Sequence, residues 1–399
     1  MALHYKSFFA VAVSPKNAGV KFAGLIFIFY AIVPLWLHLV EDLGVIYLEL
    51  AILSVFSAII ICIGYKTTLF DRLVISPNRT VTIDGNLFNK VLWLCTLLFA
   101  TTAWLTADQV PLIAALRGAD TGTLNLLREQ FLKARGGLFS SFVYINAVLT
   151  GALIPYSLSR LFLLNKKAKW SALVFFLLYC VSFMEKAFFF KAVIPLYCLA
   201  SCGKTKIKLS PRTLLLVIII ILLIVTFLAG SGTKDDDGTG SYFSINHQPS
   251  GPVKHLVWRM FAVPIFTAAD SLRVHDDEFS GELLYGATSR FFSTMFGMKR
   301  VEFERVVFYV QGGQNETGTG SANAVYFVEA FVNFGWLGVA LFSYAIGAAM
   351  RVITLHRDEA VRAMWPLFAY YLYISGLIGS LFSNGFILII LFSSVVRIK

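Results

Sequence analysis

Residues 324–350 read AVYFVEAFVNFGWLGVALFSYAIGAAM, and Glu329 is their only charged side chain. A run of about 20 apolar residues matches the ~30 Å hydrocarbon core of a bilayer, so the stretch is read as a membrane span. Immediately before it stands QGGQNETGTGSAN, residues 311–323. Polar groups are scarce in the other apolar runs, yet glycine, asparagine and threonine gather at the mouth of this one. That contrast points to work done at the junction.

The rest of the chain has the same character. Hydrophobic residues make up 57% of the 399, charged residues only 14%, and mean hydropathy is +0.73. A soluble domain would carry roughly a quarter charged residues. The expected fold is an all-α polytopic membrane protein with about ten spans, near 20–40, 43–64, 88–107, 138–160, 170–184, 187–201, 213–230, 324–350, 363–382 and 384–397. Basic residues fall in short clusters on alternate connections, including Lys66, Arg160, Lys166, Lys204, Arg351 and Arg362. By the positive-inside rule this places both termini in the cytoplasm. Residues 1–399 then form one membrane domain, with 231–323 as a large outside loop between spans seven and eight. The net charge of +11 is spread over these clusters and forms no basic stripe, which argues against nucleic acid as a partner. The five cysteines lie in or beside apolar runs and show neither disulfide nor metal spacing.

Two outside segments carry unusual charge. Residues 108–137 hold Arg117, Arg128, Lys133 and Arg135. The large loop contains VKHLVWRMFAVPIFTAADSLR, 253–273, where Pro264 and the charges suggest an interfacial or re-entrant helix rather than a full crossing. No paired Gly- or Pro-broken spans stand out in corresponding halves, which weighs against a secondary transporter.

Candidate chemistry sits on this outside face. Lys186 and Lys191, in MEKAFFFK, are either snorkelling lysines or cations facing an anionic headgroup. Arg128, Arg259, Arg290, Lys299 and Arg305 are further phosphate-binding candidates, with ion pairing or interfacial anchoring as the plain alternatives. Carboxylates or imidazoles able to accept a hydroxyl proton include His255, Asp270, Glu282, Glu316 and Glu329. For Glu329 the competing reading is a carboxylate complementing the positive end of its own helix. Asn315 and Asn323 lie in the same polar stretch as candidate substrate contacts. The run Asp235-Asp236-Asp237 lacks the alternate ligand spacing of a calcium loop and is read as a solvated charge run, so no metal or cofactor is expected.

Residues 281–300, GELLYGATSRFFSTMFGMKR, and 315–338, NETGTGSANAVYFVEAFVNFGWLG, resemble the long outside loop and following span of bacterial oligosaccharide repeat-unit polymerases of the Wzy type. The resemblance rests on Gly281 to Tyr285, Arg290 with Phe291 and Phe292, Lys299, Asn315 to Ser321, Glu329, and Asn333-Phe334-Gly335-Trp336-Leu337-Gly338. Lys186 stands where many members carry an Arg-Gly pair, a departure from the pattern. The resemblance implies a GT-C-like glycosyltransferase of the bacterial cytoplasmic membrane, active on the periplasmic or extracellular face. Its implied substrate is an undecaprenyl-pyrophosphate-linked oligosaccharide. Arg and Lys would neutralise the leaving pyrophosphate without a metal, and a flippase and a chain-length regulator would be partners beside membrane lipid.

Three other readings share parts of this layout. O-antigen ligases carry a His-Asn motif before the corresponding span; here that window reads Ser321-Ala322-Asn323-Ala324, and no histidine lies between His275 and His356. Peptidoglycan polymerases with ten spans carry a His-Thr-Asp-Phe-like segment and a Glu-Glu pair that are absent here. A lipid-linked sugar flippase would place polar residues deep in several spans.

Overall fold

The computed structural model describes residues 11–71, 81–132, 135, 137–184, 187–205, 241–247, 249–312, 322–323 and 325–398. In chain order the elements are α1 (Ala18–Leu39), α2 (Val45–Lys66), β1 (Val81–Ile83), α3 (Gly85–Leu105), α4 (Pro111–Leu116), α5 (Thr121–Leu132) and α6 (Phe139–Leu163). There follow α7 (Lys169–Ser182), α8 (Ala187–Ser201), α9 (Pro252–Phe279), α10 (Arg290–Met295), α11 (Phe303–Gly312), α12 (Tyr326–Leu355) and α13 (Glu359–Ala363). The chain ends with α14 (Trp365–Ile374), α15 (377–383), α16 (Phe386–Val395) and β2 (Val396–Ile398). Among the described residues α1, α2, α3, α6 and α12 are long and apolar enough to cross a membrane, and α7 and Phe190–Ser201 are shorter apolar helices. The proposed span at 213–230 lies outside the described residues.

Polar contacts gather the basic connections at one end of the bundle. Arg351 makes a two-pronged ion pair with Asp71, at 2.6 Å on each side. Arg160 pairs with Asp358 at 2.8 Å and Lys204 with Glu359 at 3.5 Å. Trp365 donates its indole N–H to the Val13 carbonyl at 2.8 Å, and β1 pairs in parallel with β2. This end is called the basic end below, and the opposite one the loop end.

Helix α12 departs from the straight span expected over 324–350. Gly335 has φ 61° and ψ −153°, a conformation essentially reserved for glycine, and the chain reverses there. The reversal can be read from one serine. Ser57 Oγ lies 2.6 Å from the Tyr326 hydroxyl and 2.8 Å from Ser343 Oγ. Seventeen residues of straight helix would hold positions 326 and 343 ~26 Å apart. The first arm, 326–334, therefore folds back along the second, 336–355. Gly338 permits this, since a Cβ there would collide with the Ala330 carbonyl.

The second arm packs in parallel along α2. Gly64 lies against the Tyr344 backbone and Gly347 against the Ile61 carbonyl, so the two backbones touch where side chains would otherwise stand. Small residues at such crossings let apolar helices gain dispersion contact without a hydrophobic driving force. Tyr326, Phe327 and Val328 are fully buried, fixing the first arm in the core near the middle of α2.

Helix α9 is not among the helices long and apolar enough to cross a membrane, in keeping with the reading of 253–273. It is one continuous element of 28 residues, about 42 Å long, and Pro264 does not interrupt it. It packs against α1 and α2, with Ile265, Ala268, Ala269 and Leu272 buried in the main core. One missing N–H is a small loss against that buried face.

Candidate functional site

The Asn-Phe-Gly motif earns its meaning from the reversal in α12. Breaking the helix at Gly335 frees carbonyls that would otherwise accept from residues one turn on. Leu284 N–H donates to the Val332 carbonyl at 3.0 Å, and Tyr285 N–H donates to the Asn333 carbonyl at 2.9 Å. The Asn333 side chain completes the clamp. Its Oδ1 accepts from Gly286 N–H at 2.9 Å, and its Nδ2 donates to Thr288 Oγ1 and to the Glu329 carbonyl, each at 2.7 Å. The loop 281–289 is thereby fastened to the turn of the hairpin. Its near end is held by His275, 2% exposed, whose Nε2 meets the Glu282 carbonyl at 3.0 Å.

Glu329 lies on the folded-back arm, one turn from Asn333. Its carboxylate reaches a second break, between α14 and α15. Ser375 is extended there, Gly376 is non-helical, and the Glu329 carboxylate lies against Gly376. A Cβ at Gly376 would collide with that carboxylate, so only glycine admits it. Glu329 stands in the first turn of its own helix, as the plain reading expected, and its carboxylate also lies at the start of α15. Glu329 Oε2 is shielded and has no hydrogen-bond partner among the described residues; the same holds for the hydroxyls of Tyr371 and Tyr373, just before the break.

From that carboxylate the α15 helix leads to Arg290. Phe382 of α15 stacks on Phe291 with centroids 4.9 Å apart. Leu377 and Phe382 are ~7.5 Å apart along the helix axis. Arg290, beside Phe291, stacks over the Tyr144 ring of α6 at 5.5 Å and donates to its hydroxyl. On the other side of the break, Lys191 is 6% exposed, donates to Thr150 Oγ1 at 3.4 Å, and sits 5.7 Å from the centre of the Tyr371 ring. Glu329, Arg290 and Lys191 thus surround one interrupted helix.

The other candidates divide differently. Arg305 pairs with Glu302 at 3.0 Å on an exposed surface, and Lys299 and Glu282 are exposed. Arg128 contacts Asn125 on α5 at 3.2 Å, and the His255 ring lies against Trp258. Arg259 is exposed on α9, two residues before Phe261, whose ring stacks on Phe29 and through it reaches Tyr373. Asn323 is half-buried beside Ala322, whose N–H donates to the Glu304 carbonyl on α11. Asp270 is held by Gln311 Nε2 at 2.7 Å and Arg273 at 2.8 Å, an occupied structural carboxylate. Glu316, Asn315 and Lys186 lie outside the described residues.

Sequence reasoning missed Tyr144, Tyr371, Tyr373, Gly376 and Phe382. A signal for the break was present in Ser375-Gly376, which interrupts the apolar run of the ninth proposed span. The tyrosines gave none, because an aromatic in an apolar run reads as core. Among the described residues no cluster of His, Cys, Asp and Glu is arranged to hold a metal ion. Comparison with family models, with curated proteins and with solved structures finds no match to this chain.

Proposed function

We propose that the chain is a membrane glycosyltransferase that polymerises undecaprenyl-pyrophosphate-linked oligosaccharide repeat units at the outer face of a bacterial cytoplasmic membrane. The observation that carries the reading is the setting of Glu329: a carboxylate at a helix break, with Arg290 and Lys191 on flanking elements. The loop and hairpin that assemble this setting are the segments resembling Wzy-type polymerases. On this reading both termini are cytoplasmic, about ten segments cross the bilayer in a GT-C-like arrangement, and the loop end faces the periplasm.

The chemistry follows from the residues. Glu329 accepts the proton of an acceptor sugar hydroxyl as its oxygen attacks the donor's anomeric carbon. The bond from that carbon to the pyrophosphate oxygen breaks, and undecaprenyl pyrophosphate leaves with the electron pair. Arg290 and Lys191 offset the charge growing on the leaving group in a site of low dielectric, where fixed cations act most strongly. Phe291 and Phe382 offer apolar faces to sugar rings or lipid. A chain-length regulator and a flippase are the partners this role calls for.

Purified protein incubated with a lipid-linked repeat unit should yield a ladder of longer lipid-linked glycans. Arg290→Ala and Glu329→Gln should each abolish the ladder at unchanged abundance in the membrane. A full-length ladder from both variants would refute the assignment. The breaks at Gly335 and Gly376 also favour a second reading, a flippase for the same lipid, because discontinuous helices are frequent in transporters. Translocation of labelled lipid across vesicles with no new glycosidic bond would establish it instead.

A further inference from the structure

At the basic end, α3, α6 and α7 enclose a cleft of about 460 Å³. Asn86, Lys90, Trp93 and Leu97 of α3 line it, and their spacing of four, three and four puts them on one helical face. The polar members stand in the first turns, and the apolar ones follow deeper along the helix. Lys166, from the α6–α7 connection, adds a second cation at the rim, and Phe175 of α7 closes the opposite wall.

That wall is built rather than incidental. Trp93 donates its indole N–H to Ser157 Oγ at 3.0 Å, and Ser157 donates in turn to Asn89 Oδ1 at 2.7 Å. Ser157 is fully buried and Asn89 is 6% exposed, so this relay holds the Trp93 ring in place from behind. The Trp93 and Phe175 rings meet edge to face, 6.3 Å apart. Among the described residues no carboxylate lines the cleft, and neither lysine has an ion-pair partner.

Two such cations above an apolar floor, beside two helices long and apolar enough to cross a membrane, match one ligand chemistry. A soluble anion has no use for the tryptophan floor, and a neutral lipid has no use for the lysines. We propose that this cleft binds an acidic phospholipid, with its phosphate between Lys90 and Lys166 and an acyl chain along Trp93, Leu97 and Phe175. Basic pockets between helices near a membrane surface recognise anionic headgroups in this way. The site lies at the opposite end of the bundle from Glu329 and stands independently of the glycosyltransferase reading.

The test uses the full chain in nanodiscs holding either brominated phosphatidylglycerol or brominated phosphatidylcholine at equal mole fraction. Quenching specific to Trp93 is the difference between the wild type and Trp93→Phe. It should be stronger with phosphatidylglycerol, and the binding preference should fall about fivefold for each lysine lost at physiological ionic strength. Lys90→Gln with Lys166→Gln should abolish the preference, while Lys90→Arg with Lys166→Arg should keep it. Native mass spectrometry of wild type and the double Gln variant from mixed phosphatidylglycerol–phosphatidylcholine micelles gives the same comparison without altering Trp93. Equal quenching by both lipids, or a preference surviving in the double Gln variant, would overturn the proposal.

Discussion

Replacing Asn333 by alanine tests whether the hairpin of α12 is what holds the loop to the bundle. Three well-formed hydrogen bonds disappear together, to Gly286 N–H, Thr288 Oγ1 and the Glu329 carbonyl. Asn333 is 2% exposed, so its abandoned partners gain little water in exchange. Each bond contributes about 1 kcal/mol net, and a buried orphan costs at least as much, giving a total near 3 kcal/mol. The bonds from Leu284 and Tyr285 to the α12 carbonyls remain, so the loss should appear as local opening of the loop. About 3 kcal/mol raises the open population ~100-fold. Hydrogen–deuterium exchange on a peptide covering 284–289 should speed up accordingly, with Gly286 most affected, while exchange in α2 stays slow. On the polymerase reading the ladder shortens or vanishes, because the segment leading to Arg290 is no longer fixed. Unchanged exchange at 284–289 together with unchanged thermal stability would refute the role of the clamp.

Gly335→Ala should destabilise by about 1–3 kcal/mol through backbone strain alone, since nothing lies closer than 3.6 Å to a Cβ there; a melting curve equal to wild type would contradict the kinked geometry. Gly347→Val forces apart two backbones that touch, so thermal stability should drop by about 1–3 kcal/mol, and a neutral result would deny the α2–α12 contact. The Arg351 guanidinium holds the Asp71 carboxyl below the ordinary aspartate range through its hydrogen bonds and charge. A depressed pKa contributes stability above the unfolded value that is lost as pH falls through the folded one. Asp71→Asn should therefore lower the melting temperature at pH 7, and its difference from wild type should close below about pH 4; a constant difference would exclude the ion pair as the cause.

The membrane class was readable from local chemistry. Apolar runs long enough for a bilayer require no tertiary information, because each helix satisfies its own backbone in lipid. The resemblance in 281–338 singled out Arg290 and Glu329; Glu329 falls on the kinked helix α12, and Arg290 opens the short helix α10 beside it. The length of α9 was less legible, since charges and Pro264 mask a face that only α1 and α2 reveal as buried.

What the residues alone determined is which segments prefer lipid and where polar groups are concentrated. Tertiary structure decided the rest. Hydropathy is blind to chain direction, so a helix that reverses at Gly335 and one that runs straight give the same apolar profile. The reversal shows only where Ser57 meets Tyr326 and Ser343 together. Likewise, whether Glu329, in the first turn of its own helix, also enters another's break depends on Gly376, 47 residues away, leaving room for a carboxylate. Long-range proximity of this kind is set by packing, and no local pattern encodes it.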